Sequence, residues 1–320
     1  MRALQLQALE GPAGFAVVDL PAPADDEWVT IDVHAAGVSF PDLLMSRGRY
    51  QLRPDLPAVL GSEVAGTVRS APPGHPLGPG DRVWATMELG GFAEVVAAPP
   101  DQVFPLPNDL SFEEGASLGV NFLTAVFALG RRGALRAGET VLVLGAAGGL
   151  GTATIGVAKT LGARVVAVVS TPEKAATAEA AGADEVVVGK DWRDAVLEHT
   201  DGRGAELVAD VVGGAATLQA VRAAAPEGRV LVLGFTSGEI PSIATNRLLL
   251  RNVSLIGVGL GALTTTLPDL LAETVAELRR LLERGLRPVV GGTVPLERGA
   301  DAVRRLEDRT AQGKIVLTVG

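Results

Sequence analysis

The pattern of hydrophobic and polar residues changes character along the 320-residue chain. From residue 1 to about 119, short apolar runs alternate with polar residues and are broken by Gly and Pro, as in Trp28–Val33 and Glu63–Val68. Period-two alternation between closely spaced turn signals is typical of antiparallel strands. We therefore expect this stretch to form an antiparallel, barrel-like β domain.

From about residue 120 to 259, aliphatic runs alternate with Ala-rich stretches of helical length. This alternation is typical of βαβ units around a buried parallel sheet. The predicted strands are Val141–Leu144, Arg164–Val169, Glu185–Val188, Glu206–Asp210, Arg229–Leu233 and Ser254–Gly257. Helices are expected at about 149–161, 173–181, 192–200 and 215–225. Six strands connected in this way indicate a doubly wound α/β fold.

The last residues, 260–320, return to a mixed pattern. They predict an amphipathic helix near 269–284, a short strand around Val294, a helix near 299–307 and an apolar strand at Lys314–Val319. A terminal strand this apolar needs a sheet to join. We therefore expect residues 1–119 and 260–320 to form one discontinuous domain, with the doubly wound domain, 120–259, inserted between them.

A glycine-rich turn follows the first strand of the predicted parallel sheet. It reads Gly145-Ala146-Ala147-Gly148-Gly149-Leu150-Gly151 and precedes a predicted helix. In this arrangement Gly145 allows a tight turn, Gly148 lets the backbone approach a diphosphate, and Gly151 lets helix and strand pack closely. The diphosphate would meet the free N–H groups and the positive dipole of the helix start. The turn predicts a dinucleotide-binding site; the alternative is a strand–helix turn that binds nothing.

The end of the second strand distinguishes the two nicotinamide dinucleotides. An NAD site places Asp or Glu there to bond the ribose hydroxyls. Here the position is Ser170, and Lys174 lies one turn into the next helix, while Glu173 is expected to face solvent. Two hydroxyls, of Ser170 and Thr171, and an ammonium suit a 2′-phosphate, which a carboxylate would repel. NADPH is therefore the predicted cofactor, unless Lys174 is only a surface lysine.

Composition and charge remove several classes of function. The chain has no cysteine, which excludes disulfides, thiolate nucleophiles and cysteine-bound metals. A formal net charge of -9 argues against nucleic acid or an anionic membrane as a partner. No apolar stretch of about 18 residues and no secretory signal are visible, so the cytoplasm is the expected location. The three histidines are widely separated, and no metal site is predicted.

Six further segments combine with the glycine turn into a specific pattern: Ala35–Asp42, Gly48–Tyr50, Gly61–Gly66, Asn121–Ala125, Asp210–Gly214 and Gly313–Leu317. On these segments the chain resembles the medium-chain dehydrogenases/reductases, in the zinc-independent quinone oxidoreductase (ζ-crystallin-like) branch, over essentially its whole length. The resemblance implies a GroES-like catalytic domain built from both chain ends, a Rossmann domain and a homodimer. Val253–Leu263 could pair edge strands across a two-fold axis, or it could be an interior strand.

Zinc-dependent members of the same superfamily hold their metal with Cys and a Gly-His-Glu motif. Here that motif reads Gly61-Ser62-Glu63, with Ser62 at the histidine position. Without a Lewis acid, the alkoxide that develops on an unactivated ketone lacks a strong counter-charge. Quinones and α,β-unsaturated carbonyls delocalise the incoming charge. The expected substrate is therefore a small conjugated carbonyl or quinone.

Related reductases line the substrate side with an Asn and two Tyr. The resemblance puts Ser39 at the Asn position, Leu44 at one Tyr position and Tyr50, the only tyrosine, at the other. Tyr50 is predicted to hydrogen-bond or protonate the acceptor oxygen, with packing of the cleft wall as the alternative. Ser39 is a candidate donor in place of the missing amide. Water could also deliver the proton, so a dedicated acid is not required.

The resemblance also implies where the cofactor lies. The substrate cleft is expected between the domains, at the carboxyl ends of the sheet strands. The cofactor contacts that it adds to the glycine turn are Asn121 and Thr124 near the nicotinamide, Phe235 after the fifth strand, and Arg309 near the terminal strand, for which a surface position is the alternative.

Three functions follow, in order of preference. The first is an NADPH:quinone oxidoreductase, and the second is an NADPH-dependent reductase of the C=C bond of enones, 2-alkenals or enoyl thioesters. A thioester of CoA would favour a basic patch, which Arg47, Arg49 and Arg53 could form, although they suit a solvated loop equally well. The third belongs to another class: an NADPH-binding protein without turnover, structural or RNA-associated as some crystallin relatives suggest.

Overall fold

The computed structural model describes residues 1–23 and 26–320. The chain divides into two compact units. One, named here the terminal unit, consists of Met1–Val120 and Val290–Gly320, and the other, the central unit, consists of Asn121–Val289. The predicted divisions lay after residues 119 and 259, so the second one differs. Residues 260–289 belong to the central unit.

The strands are numbered in chain order. They are β1 (Arg2–Leu6), β2 (Phe15–Asp19), β3 (Val29–Val38), β4 (Ala58–Val59), β5 (Glu63–Ser70), β6 (Arg82–Thr86), β7 (Val95–Ala98), β8 (Val103–Pro105), β9 (Thr140–Leu144), β10 (Arg164–Val169), β11 (Glu185–Val188), β12 (Ala205–Asp210), β13 (Ala224–Val232), β14 (Ser254–Gly257), β15 (Val290–Pro295) and β16 (Lys314–Thr318).

The helices are numbered in the same way. They are α1 (Phe40–Ser46), α2 (Phe112–Gly115), α3 (Leu123–Val126), α4 (Gly149–Thr160), α5 (Ala175–Ala180), α6 (Arg193–His199), α7 (Ala215–Ala223), α8 (Asn246–Leu249), α9 (Leu260–Thr264), α10 (Asp269–Glu283) and α11 (Gly299–Glu307). Two π-helical segments, Leu118–Phe122 and Phe127–Arg132, flank α3. Short 3₁₀ turns lie at Gly11–Gly14, Pro100–Gln102, Pro172–Lys174 and Leu296–Arg298.

The terminal unit is built on two sheets. The larger has the order β15-β16-β3-β5-β6-β8, with β7 also paired to β3, and the smaller has the order β2-β1-β4. All pairs are antiparallel except β15 with β16. The apolar terminal strand β16 lies beside β3, with Ile315 opposite Val38 and Leu317 opposite Ala36. Its aliphatic side chains are buried in the core of this unit, as its composition requires.

The central unit contains one parallel sheet of six strands. Its order is β11-β10-β9-β12-β13-β14, which is the 3-2-1-4-5-6 order of a doubly wound dinucleotide-binding fold. The predicted fold class is confirmed. Five of the predicted strands agree with the observed bounds to within one residue, while β13 begins at Ala224, five residues before its predicted start. Ala224 pairs with Ala205 beyond a register shift in β12, which no sequence pattern signals.

The position of α10 explains the second division of the chain. Its apolar stripe is buried and consists of Leu270, Leu278, Leu281 and Leu282. The helix packs against α3, and Arg131 pairs with Glu273 at 3.0 Å. An amphipathic pattern predicts that one face is buried, but it does not say against which core. At 15 residues α10 is the longest helix, and none in the described part of the chain is long and apolar enough to cross a membrane.

Candidate active site

The glycine turn between β9 and α4 has the geometry that its sequence predicts. Gly145 has φ +65°, which a residue with a side chain rarely adopts. A Cβ at Gly151 would lie 2.3 Å from the carbonyl oxygen of Gly145, so helix and turn touch at a distance that only glycine allows. A Cβ at Gly148 would meet only that same oxygen, at 3.6 Å. The backbone is therefore open to a ligand at Gly148.

Two neighbouring loops flank this turn at the carboxyl edge of the sheet. Val211 directly follows β12 and lies against the glycine turn. A Cβ at Gly145 would be 2.7 Å from a methyl group of Val211. The loop after β13 is tied to the same place, because Thr236 N–H donates to the Val211 carbonyl at 3.1 Å and Ser237 N–H to the Val212 carbonyl at 2.9 Å. Three loops from adjacent strands thus meet where ligands bind in such sheets.

A buried carboxylate, Asp210, holds the middle loop in shape. It accepts hydrogen bonds from the N–H groups of Val212 at 2.9 Å and Gly213 at 3.0 Å, and from the Thr217 hydroxyl at 2.6 Å. The predicted cofactor residue Phe235 packs on this loop, since a Cβ on Gly213 would lie 2.8 Å from its ring. The sequence analysis assigned no role to Asp210. A charged residue at the end of an aliphatic strand was the available signal, because a buried charge must be paired.

The two residues predicted to select NADPH lie together after β10. Lys174 Nζ donates to Ser170 Oγ at 3.3 Å, so ammonium and hydroxyl face one site. Glu173 accepts from its own N–H and from the Thr171 hydroxyl, and both bonds lower the pKa of its carboxyl. The negative charge of Glu173 therefore lies at the start of the 3₁₀ turn Pro172–Lys174 and not at the position of Ser170.

Asn121 and Thr124 lie on the helical stretch that opens the central unit. Asn121 is buried and ends the first turn of the π-helical segment Leu118–Phe122, and Thr124 is half-buried in α3. π-helical segments are rare and occur frequently at functional sites. The π-helical geometry at Asn121 is not signalled by sequence patterns, and its contact with the nicotinamide stays a prediction.

In the terminal unit, Ser39 belongs to a buried network of charges. It precedes α1, and its hydroxyl accepts from Lys314 Nζ at 2.6 Å and donates to Glu63 Oε1 at 3.1 Å. Lys314 also donates to Glu63 Oε1, and the two side chains form a buried ion pair. The single proton of Ser39 thus points at Glu63. The predicted donation from Ser39 to a hydride acceptor requires this hydroxyl proton to rotate away from Glu63. That donation stays a prediction.

A second carboxyl group, that of Asp42, gives this network one more acidic side chain than it has basic ones. It is buried, and its Oδ2 accepts from the Ser39 N–H at 2.7 Å, while Oδ1 has no hydrogen-bond partner in the described residues. Burial raises the pKa of Asp42 to about 7, and the negative charge of Glu63 adds to the rise. The N–H groups of Ser39 and Gly61 and the charge of Lys314 oppose it. Two acids and one base share this site, so Asp42 is the group that binds the extra proton.

Tyr50 follows α1 on a turn and packs against the core of the terminal unit. Partial burial raises the pKa of its hydroxyl, with the nearby charge of Asp42 as a second cause. No hydrogen bond from this hydroxyl is found within residues 1–23 and 26–320, and its contact with the acceptor stays a prediction. Arg309, predicted to contact the cofactor, lies exposed after α11 with φ +58°.

The sequence analysis missed the roles of Asp42, Glu63 and Lys314, although a lysine within an aliphatic strand signals a buried partner.

The described residues do not provide a set of side chains that could bind a metal ion. They contain no group of three or more His, Cys, Asp or Glu side chains that could hold an ion. At the motif that carries the histidine ligand in zinc enzymes, the Ser62 hydroxyl donates to the carbonyl oxygen of Glu88 at 3.2 Å. The donors present at this motif do not fit a catalytic zinc.

Comparison with known proteins gives consistent results along the chain. Residues 25–108 match the alcohol dehydrogenase GroES-like domain family, and residues 149–277 match the zinc-binding dehydrogenase family. Mouse quinone oxidoreductase-like protein 2 is 34% identical over 93% of this chain and 87% of its own length.

Solved structures agree with these matches. A probable oxidoreductase from Mycobacterium abscessus is 46% identical, with a TM-score of 0.92, and the alignment covers 100% of this chain and 99% of that one. The quinone oxidoreductase from Thermus thermophilus, also solved in complex with NADPH, is 38% identical with a TM-score of 0.85 and full coverage of both chains.

The buried carboxyl of Asp42 should make stability depend on pH. The folded state holds this proton up to about pH 7, whereas the unfolded chain releases it near the ordinary value of 3.8. Stability from this group therefore falls as pH rises between the two values. Asp42→Asn keeps an oxygen for the Ser39 N–H and removes the ionisation. We expect it to be more stable than the wild type by on the order of 1–3 kcal/mol at about pH 8, and by less at about pH 5.

Chemical denaturation across this pH range measures the effect. Asp32→Asn, which alters an exposed carboxylate paired with Arg69, is the matched control and should keep the wild-type slope. An Asp42→Asn protein with the wild-type slope would show that Asp42 is already ionised throughout.

Proposed function

Because the chain belongs to the quinone oxidoreductase branch of the medium-chain dehydrogenases/reductases, we propose that it binds NADPH on the central unit and transfers hydride to a quinone without a catalytic metal. The observation that carries the proposal is the open backbone at Gly148, between a glycine at positive φ and a glycine in close contact. The cytoplasm is the compartment in which we expect it.

The glycine turn fits the diphosphate of a dinucleotide. A Cβ at Gly148 would occupy the space that a phosphate needs, and the first N–H groups of α4, from Gly149 to Gly151, have no partner within the helix. No side chain caps this helix start. A phosphate at this position would receive those hydrogen bonds and the favourable end of the helix dipole. Bound NADPH supplies the hydride, and the protein supplies its placement.

Three groups on the central unit complete the proposed cofactor site. Lys174 and Ser170, joined at 3.3 Å, would hold the 2′-phosphate of NADPH. Phe235 lies on the loop after β13, which packs on the loop that Asp210 shapes beside the glycine turn. Asn121 and Thr124 are proposed for the nicotinamide end, and Arg309 is proposed as a further cofactor contact.

The electrostatics of the terminal unit favour an acceptor that stabilises its own negative charge. The only ammonium of the Ser39 network, on Lys314, is already paired with Glu63. It is therefore not available to stabilise an alkoxide, and the donors around Ser62 do not fit a Lewis acid. Hydride addition to a quinone gives a hydroquinone anion whose charge is delocalised. We propose Tyr50 as the residue that hydrogen-bonds the acceptor oxygen, with Ser39 beside it.

The reaction itself is tested by NADPH oxidation with purified, chelator-treated protein. The acceptors are ortho-quinones, para-quinones, 2-alkenals and enoyl-CoA esters, each also run with NADH. We expect turnover of quinones that NADPH supports better than NADH and that chelator does not reduce. Turnover only of alkenals or thioesters would assign the protein to C=C reduction instead. Tight NADPH binding without oxidation by any acceptor would favour a binding protein over an enzyme.

Cofactor selectivity should depend on Lys174. Lys174→Ala removes the ammonium that would pair with the 2′-phosphate, and we expect NADPH to bind about tenfold more weakly while NADH affinity stays the same. Fluorescence titration of the free protein measures both dissociation constants. The control is Lys159→Ala, since Lys159 is a lysine of the same unit whose charge is paired with Asp184 at 2.7 Å. Equal losses for both dinucleotides would show that Lys174 does not read the 2′-phosphate.

We also propose that the chain forms a homodimer through the free edge of the central sheet. Strand β14 lies at the end of that sheet and pairs only with β13 in the described residues. Leu255 in the strand is 38% exposed, and Leu249 and Leu250 just before it are 73% and 80% exposed. An open, apolar strand edge is a template for pairing with another chain. A second copy of this chain offers the same edge for an isologous interface.

Analytical ultracentrifugation tests the dimer. The wild type should sediment at twice the chain mass of 32.8 kDa, and the variant carrying Leu250→Lys and Leu255→Lys at the single-chain mass. Leu9→Lys introduces one lysine at an exposed leucine of the terminal unit, half the charge that the test variant adds, and should leave the dimer intact. A variant that stays dimeric would place the interface elsewhere.

A further inference from the structure

One buried carboxylate, Glu63, connects three separate parts of the terminal unit. The side chain is 1% exposed at the start of β5. Its Oε1 accepts from Lys314 on β16 and from the Ser39 hydroxyl before α1. Its Oε2 accepts from the N–H of Val120 at 2.8 Å. Both carboxylate oxygens of Glu63 therefore accept hydrogen bonds from these groups.

Two glycines make room for this carboxylate. A Cβ at Gly37 would lie 2.7 Å from Cγ and 2.8 Å from Cδ of Glu63. A Cβ at Gly119 would lie 3.0 Å from its Cβ and 3.1 Å from Oε2. The backbone of β3 and the backbone of the π-helical segment therefore both lie close to the Glu63 side chain. These short distances restrict its carboxylate to one position. Such a cradle fixes where Oε2 points.

The bond to Val120 matters because of where Val120 lies. It is in the first turn of the segment Leu118–Phe122, where an N–H has no partner within the helix. The next residue is Asn121, the first residue of the central unit and the proposed nicotinamide contact. Glu63 therefore orients the peptide that leads into Asn121.

We infer that Glu63 is a positioning residue, which fixes the cofactor-binding turn at Asn121 through Oε2 and Ser39 on the acceptor side through Oε1. The inference rests on the proposed function, since it assumes that Asn121 contacts NADPH. Glu63 takes no part in the hydride or proton transfer. Lys314 balances its charge, because a carboxylate buried to this extent needs a paired cation.

Two double variants separate positioning from stability. Both include Lys314→Met, so neither leaves a buried ammonium or a buried carboxylate at these two positions, and Asp42 is the same in both. With Glu63→Gln, the amide oxygen can still accept from Val120 and the amide N–H₂ can donate to Ser39 Oγ. With Glu63→Met, the Val120 N–H loses its acceptor. The two proteins thus differ in the hydrogen bond in question and match in charge and size.

The readout is the NADPH dissociation constant, measured by fluorescence without any acceptor, together with the thermal midpoint and the KM for NADPH. We expect the Gln variant to bind NADPH within about threefold of the wild type, and the Met variant about tenfold or more weakly, with KM rising in parallel. Equal NADPH affinities in two folded double variants would overturn the inference.

A single variant covers the case in which the Met protein does not fold. Gly119→Ala changes no charge, and its added Cβ would lie 2.7 Å from Thr86 Cγ2, 3.0 Å from Glu63 Cβ and 3.1 Å from Glu63 Oε2, so it crowds the Glu63 side chain next to Val120. We expect weaker NADPH binding, whereas Gly130→Ala, with nothing within 4 Å of the added atom, should bind as the wild type does. Wild-type protein that does not bind NADPH at all would refute the proposed function itself, before any variant is compared. Wild-type affinity in Gly119→Ala would refute only the role of Glu63.

Discussion

The terminal unit depends on a buried ammonium–carboxylate pair between Lys314 and Glu63. The two residues are 251 positions apart, and each is almost completely shielded from water. An unpaired ion in such a place is strongly destabilising, whereas a paired and hydrogen-bonded one is tolerated. The pair therefore requires β16 to lie beside β3, and with it the last part of the chain joins the first. Ser39, Asp42 and Val120 are all arranged around this contact.

The central unit solves a different problem, which is to present backbone groups to a ligand. Its parallel sheet places the ends of β9, β12 and β13 side by side, and the loops that follow touch one another at Gly145, Val211 and Thr236. Asp210 stiffens the middle loop through three hydrogen bonds. Preorganised backbone of this kind binds a diphosphate without a rearrangement that would cost affinity.

The two units bring different chemistry to the proposed reaction. The central unit offers N–H groups, a hydroxyl and an ammonium, all suited to a phosphorylated dinucleotide. The terminal unit offers the Tyr50 hydroxyl and a buried network whose ammonium, on Lys314, is paired with Glu63. A site of this kind stabilises new negative charge weakly, which is why the proposed acceptor is one that delocalises its charge.

The sequence by itself determined the doubly wound fold, the turn from Gly145 to Gly151, and the closeness of Ser170 and Lys174, because these are local patterns read within one βαβ unit. It also predicted α10 with its apolar stripe. Tertiary structure decided that α10 packs on the central unit and that β14 is an edge strand, since periodicity identifies a buried face without naming its partner. It alone decided that Glu63 meets Lys314, Ser39 and Val120. Contacts between residues this far apart depend on how the sheet assembles, and no local pattern of residues carries that information.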